Sequence, residues 1–173
     1  MNKYLFSSVN KVYGLVFAAS LLLIIIALIF EYVLLLRPCL LCYAQRYSVY
    51  MLLIFSLIAL SHRNHSLLFF RIYLGVFSFL AMIGASFSIR QLYLQSLPKE
   101  LVPSCGPDLE YLLDSLPLLD VFFKIIQGDG NCAEVAWSFL GISIPGWVLI
   151  ALIFLFLYIL CCFYFSNKLH SKN

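Results

Sequence analysis

The sequence predicts an all-α membrane protein: a four-transmembrane-helix bundle with a long extracytoplasmic loop that contains a short amphipathic helix. Three observations carry this. The chain of 173 residues is 64% hydrophobic and 11% charged, too apolar for a soluble domain. Four apolar stretches approach the roughly 20 residues that a helix needs to cross the hydrocarbon core. The charges between those stretches are also sorted by sign. No basic patch with interleaved aromatics is present, which excludes an ordinary nucleic-acid binder.

The whole chain, 1–173, reads as one membrane domain. The first helix is expected at about 12–32, where Val12 to Phe30 are uncharged. Lys3 and Lys11 make a basic start, as in a signal peptide. However, the apolar run is long for a signal core, and no small-x-small site follows it around Phe30, Glu31, Tyr32 and Val33. It reads as a retained helix. The second, at about 43–61, is short between Arg46 and Arg63, so it must begin near Cys42. The third spans about 69–89, between Arg71 and Arg90. The fourth spans about 146–165, with Pro145 suited to a first helical turn and Trp137 and Trp147 flanking its entry.

Four crossings put both termini on one side. Lys3, Lys11, Arg63, Arg71, Lys168 and Lys172 lie on the termini and around the 62–68 link, with no acidic residue among them. The positive-inside rule makes these segments cytoplasmic. The loops at about 33–42 and 90–145 then face outward. The longer holds seven of the eight acidic residues. Within it, "LEYLLDSLPLLDVFFKII" (109–126), interrupted by Pro117, reads as short amphipathic segments on the membrane surface or as a packed cap over the bundle. "PSCG" (103–106) and "GDGNC" (128–132) are turn-like, so Cys105 and Cys132 are expected in flexible, exposed settings.

Four of the six cysteines therefore face the side where disulfides persist. Cys39 and Cys42, in "RPCLLCYAQRY" (37–47), form a Cys-x-x-Cys. A structural zinc site needs four ligands, and His62, His65 and His170 all fall on the other side. A c-type haem motif needs His where Tyr43 stands. A Cys105–Cys132 bridge would stabilise the long loop by about 3–4 kcal/mol in the chain-entropy model. That leaves Cys39 and Cys42 unexplained, since a bridge over two residues braces almost nothing. Redox chemistry uses all four. Pro38 and the two cysteines open a helix, whose N-terminal partial charge lowers a thiol pKa. Arg46 shares a helix face with Cys42. It suits a thiolate or an anionic acceptor, or it snorkels to lipid headgroups. The membrane boundary suggests a lipid-soluble acceptor such as a quinone, since no flavin or nicotinamide fingerprint is present. Cys161 and Cys162 read as small apolar filler, with palmitoylation as the alternative.

"PCLLCYAQR", "LVPSCGPDLEYLL" and "GNCAEVAWSFLGISIPGW", in this order, resemble the disulfide bond formation protein B (DsbB) family over essentially the whole chain. The resemblance implies a thiol oxidase of the bacterial inner membrane with its catalytic loops in the periplasm. It would reoxidise the dithiol oxidase DsbA and pass electrons to ubiquinone or menaquinone. It further implies an outer disulfide, Cys105–Cys132, with Cys105 taking the mixed disulfide, and an inner one, Cys39–Cys42. Cys132 would attack Cys39 and release Cys42 toward the quinone, beside Arg46. Two departures stand out: Gln45 replaces an acidic residue common before that arginine, and "GDGNC" is longer than the tightest family version. Two rivals are weaker. Quinone reductases like the vitamin K epoxide reductase family carry their Cys-x-x-Cys later in the chain. A non-enzymatic scaffold with one disulfide leaves Cys39 and Cys42 idle.

Overall fold

The computed structural model describes residues 9–62, 66–106 and 109–167. Lys3, Arg63, Lys168 and Lys172, on which much of the sidedness argument rests, lie outside the described residues. Among the described residues four helices are long and apolar enough to cross a membrane. They are α1 (Val9–Leu28, continued by a π-turn over Ile29–Val33), α2 (Leu40–Ser61), α3 (Leu67–Ser96) and α6 (Ile144–Tyr164). Between α3 and α6 lie two short helices, α4 (Leu109–Ser115) and α5 (Leu118–Gln127), broken apart at Pro117, and a small hairpin.

Several helix boundaries differ from the sequence expectation, and two of them bear on the site. Cys39 takes an extended conformation and caps α2, which starts at Leu40 rather than 43. Helix α3 runs past Arg90 to Ser96, because Arg90 does not end it. The Arg90 guanidinium turns aside, donating to the Gln127 carbonyl at 3.1 Å and lying over the Tyr93 ring.

Helix α3 packs between α2 and α6, and α1 packs mainly on α2, with a smaller contact to α6. Lipid is as apolar as leucine, so close backbone approach and polar links must hold such a bundle together. Gly84 shows the approach: a Cβ there would stand 2.5 Å from Ser48 Oγ and 2.9 Å from Leu152 Cδ1. Ser48 and Ser88 are buried, but each hydroxyl donates to a carbonyl of its own helix, so neither is an orphan. At the other end of the bundle the buried Tyr13 ring meets Phe70, Tyr73 and Phe77 with centroids 5.6 to 6.1 Å apart. Outward, Leu22, Ile54, Phe79 and Phe154 are exposed, as lipid-facing side chains must be.

The described residues between α3 and α6 form a cap with its own small core. Leu112 of α4 and Val121 of α5 are buried with Leu40 and Leu41 of α2, Leu94 of α3 and Cys132. On the other face Leu118, Leu119, Phe122 and Phe123 are exposed. This stretch thus packs on the bundle as a cap and also offers an apolar face outward. Gly128 ends α5 at φ +72°, ψ 167°, a region open essentially to glycine alone. A Cβ there would also meet Leu94 at 2.7 Å and Leu41 at 3.0 Å. The chain thus drops tightly onto α2 and α3 just before the Cys132 turn. After it, Ser138–Phe139 and Ile142–Ser143 pair antiparallel around Leu140 and Gly141, both at positive φ, as a two-residue hairpin requires. This hairpin leads into α6, with Pro145 in its first turn.

Candidate active site

Cys39 and Cys42 stand one turn apart because one caps α2 and the other lies in its first turn. Cys39 Sγ donates to Cys42 Sγ at 3.1 Å. The two intervening leucines point away into the cap core, so the spacing turns both sulfurs to one side. All six cysteines are free thiols in the structure. Cys162 is buried in the main core and Cys161 half-buried beside it, as filler. Among the described residues no cluster of His, Cys, Asp and Glu could hold a metal ion.

Gln91 of α3 reaches across to this pair. Its Nε2 donates to Cys39 Sγ and to Cys42 Sγ, each at 3.3 Å. Gln45 Nε2 donates to Gln91 Oε1 at 2.7 Å, which fixes the amide so that its N–H groups face the sulfurs. Both glutamines are buried. Sequence reasoning missed this pair, although an uncharged Gln inside a membrane helix is itself a signal. Gln45 was noted only as a departure from an acidic residue; here it orients Gln91.

Arg46 does not snorkel to solvent. Its guanidinium pairs with Glu31 of the π-turn, donates to the Ala27 carbonyl at 3.4 Å and lies 5.9 Å from the Tyr43 ring centroid. Both ends of the ion pair are largely covered, at 14% and 20% exposure. Glu31, the one acid of the first apolar stretch, was missed as a site residue. Arg46, Cys39, Cys42 and Gln91 all line one cavity of about 900 Å³ at the end of the bundle beside the cap. Its apolar walls include Leu23 and Ile24 of α1, Val49 of α2 and Val148 of α6.

The two loop cysteines differ from each other, and only Cys132 departs from the expected exposure. Cys105 is exposed, but Cys132 is fully buried. The reason is the docking just described, which presses the Gly130–Cys132 turn into the cap core. Asp129 caps that turn through the Cys132 N–H at 3.3 Å. The two cysteine loops are laced together: Gly130 N–H donates to Ser104 O at 3.3 Å, Asn131 Nδ2 to Gly106 O at 3.3 Å, and Gly106 N–H to Asp129 Oδ2 at 3.4 Å. A Cβ on Gly130 would stand 3.0 Å from Cys105 Sγ. On its inner side Cys132 meets Cys39. The sulfurs of Cys132 and Cys42, with burial, push the Cys39 thiol well above its ordinary range. The cysteines are therefore neighbours in the order Cys105, Cys132, Cys39, Cys42.

A family model described as "Disulfide bond formation protein DsbB" matches residues 9–162. The chain belongs to the DsbB family. Among its relatives, the disulfide bond formation protein B of Saccharophagus degradans is 45% identical over 139 residues, covering 80% of this chain and 83% of that protein. Those of Hahella chejuensis and Acinetobacter baylyi are 43% and 44% identical, over 83% and 82% of this chain and 87% and 83% of theirs. As a DsbB-family member the chain is a membrane thiol oxidase that generates disulfides. Four apolar helices make it a multi-pass membrane protein.

Proposed function

We propose that electrons enter at Cys105, pass through Cys132 and Cys39 to Cys42, and leave to a quinone in the adjoining cavity. The donor is a reduced, DsbA-like thioredoxin-fold oxidase, and the protein sits in the bacterial inner membrane with the cap in the periplasm. The observation that carries this reading is the placement of Cys132, buried against Cys39 by a loop that leaves Cys105 exposed.

The resting enzyme holds two disulfides, Cys105–Cys132 and Cys39–Cys42. A thiolate of the donor attacks Cys105 Sγ, the only outer sulfur open to a protein partner, and the bond to Cys132 breaks. Cys132 then attacks Cys39, and Cys42 leaves with the electron pair. There it accepts from Gln91 Nε2, which stabilises it as an anion. The donor's second thiol closes its own disulfide and frees Cys105. Cys105 attacks Cys132 and restores the outer bond, leaving Cys39 as the thiol. Two electrons have then moved from the donor dithiol to Cys39 and Cys42.

The cavity fits an apolar ring with polar edges: aliphatic walls, the Arg46 guanidinium, and a volume of about 900 Å³ beside Cys42. Ubiquinone or menaquinone held there would supply a two-electron, two-proton acceptor. Arg46, held by Glu31, offers a fixed cation to it.

Alkylation trapping in native membranes tests the reading. Reduced DsbA-like donor should open both pairs, and added oxidised quinone should close both again. Normal turnover by Cys39→Ser or Cys42→Ser would refute it.

A further inference from the structure

We propose that the protons needed to reduce the quinone reach it from the cap side of the membrane alone, so that this enzyme moves electrons without moving charge across the bilayer. The inference rests on the quinone reading above. The balance is fixed by chemistry. The donor dithiol gives up two electrons and two protons as its disulfide closes. Cys39 and Cys42 pass the electrons on as their own disulfide re-forms. Two electrons and two protons convert a quinone to a quinol. The donor's protons are released where it docks, on the cap side. If the matching two protons are drawn from the same side, no charge crosses. If they are drawn from the opposite side, two positive charges cross for every quinol formed.

The cavity beside Cys42 favours the first course. Its lining reaches from the bundle into the cap, where Arg37, Glu110, Asn131 and Glu134 line it and are themselves exposed. That rim is ionic and open to solvent. Farther in, the Glu31 carboxylate pairs with Arg46 on the same wall. Charged groups therefore continue from the rim to the level of Arg46, one turn past Cys42.

Away from the cap the lining stops early. On each helix the lining residue farthest from the cap is Leu23, Val49, Gln91 or Val148. Beyond them Val16, Leu52, Phe77, Leu152 and Leu155 are packed, each at most 5% exposed. Helix α2 alone continues about 18 Å from Val49 to its end at Ser61. Proton routes through membranes are built of Asp, Glu and His in succession. Among the described residues none of these stands on α1 before Leu23, on α3 before Gln91 or on α6 after Val148, and on the α2 side the first is His62. The buried polar groups in between are isolated hydroxyls. Ser56 and Ser88 donate to carbonyls of their own helices, and Ser20 has no partner among the described residues. Tyr50 has its ring beside Tyr47, which is exposed on the bundle surface. Tyr13, His62 and Tyr73 cluster at the far end. A proton crossing this layer would be an unpaired charge in an apolar medium, which is prohibitive.

The test uses full-length protein in vesicles that enclose a pH-sensitive dye in weak buffer and hold an imposed pH step throughout the assay. The bilayer carries a short-chain ubiquinone, and oxygen is excluded so that quinol accumulates. Reduced DsbA-like donor is added outside, where it meets only molecules with the cap outward. Quinol, lumen pH and membrane potential are followed together. Quinol should form while lumen pH and potential stay flat. Setting the lumen one pH unit more acidic or more alkaline beforehand should leave the rate of quinol formation unchanged. The proposal is overturned if the lumen loses one or two protons per quinol and turns negative, or if the rate follows lumen pH. Failure to form any quinol would instead remove the quinone reading itself, so the two failures are told apart by the quinol signal.

Discussion

Replacing Gln91 by leucine removes the amide that donates to both inner sulfurs while keeping the bulk between α2 and α3. The account gives this amide one electrostatic task, stabilising charge on Cys42 in the reduced state. A hydrogen bond to a charged group contributes about 1.5–3 kcal/mol. For a two-electron couple about 1.4 kcal/mol corresponds to 30 mV. Loss of the 3.3 Å bond from Gln91 Nε2 should therefore lower the reduction potential of the Cys39–Cys42 pair by roughly 30–65 mV. The assay is a redox titration by mass-tag alkylation in a Cys105→Ser, Cys132→Ser background, where the inner pair titrates alone. Gln45→Leu keeps the donor but frees its orientation, because the 2.7 Å bond to Gln91 Oε1 is gone. It should shift the potential the same way by less. An unchanged or raised potential in Gln91→Leu would refute the reasoning.

Other outcomes follow from the same geometry. Arg46→Lys keeps the charge but loses the fork shared by Glu31 and the Ala27 carbonyl, so the KM for quinone should rise several-fold while disulfide exchange with the donor stays intact. Steady-state kinetics with each substrate varied in turn check this. Gly128→Ala should destabilise the cap by about 1–3 kcal/mol, since it forces a side chain into a glycine-only conformation against Leu94 and Leu41. Its signature is alkylation of Cys132, which is buried in the native cap. Cys39, whose thiol is held above its ordinary range, should carry little thiolate near pH 8.5, where an ordinary thiol is about half ionised. In the reduced protein its alkylation rate should still be climbing with unit slope at pH 9; a plateau by pH 8.5 would contradict that environment.

The bundle was legible because lipid demands it: an uncharged run of about 20 residues has few other uses. The break of the cap into α4 and α5 was legible in Pro117, and the cap of α2 in "RPCLLC". What the sequence hid were contacts made across distance. Gln45 and Gln91 are 46 positions apart and become partners only because α3 packs on α2. Glu31 looked like a poor cleavage neighbour, and its role depends on the π-turn bringing it to Arg46. "GDGNC" looked like an exposed loop because it is rich in glycine and polar residues. Those glycines serve instead to bring the backbone hard against α2, α3 and the Cys105 turn. A turn that composition marks as flexible thus becomes the place where Cys132 is buried.

The central claim is that the outer and inner pairs communicate through Cys132 and Cys39. Mass spectrometry of the acid-quenched wild-type intermediate, formed with reduced DsbA-like donor in quinone-extracted membranes, tests it most directly. The account predicts a Cys132–Cys39 disulfide, Cys105 joined to the donor, and a free thiol at Cys42. An intermediate in which Cys105 is joined to Cys39 or Cys42 while Cys132 is free would contradict it.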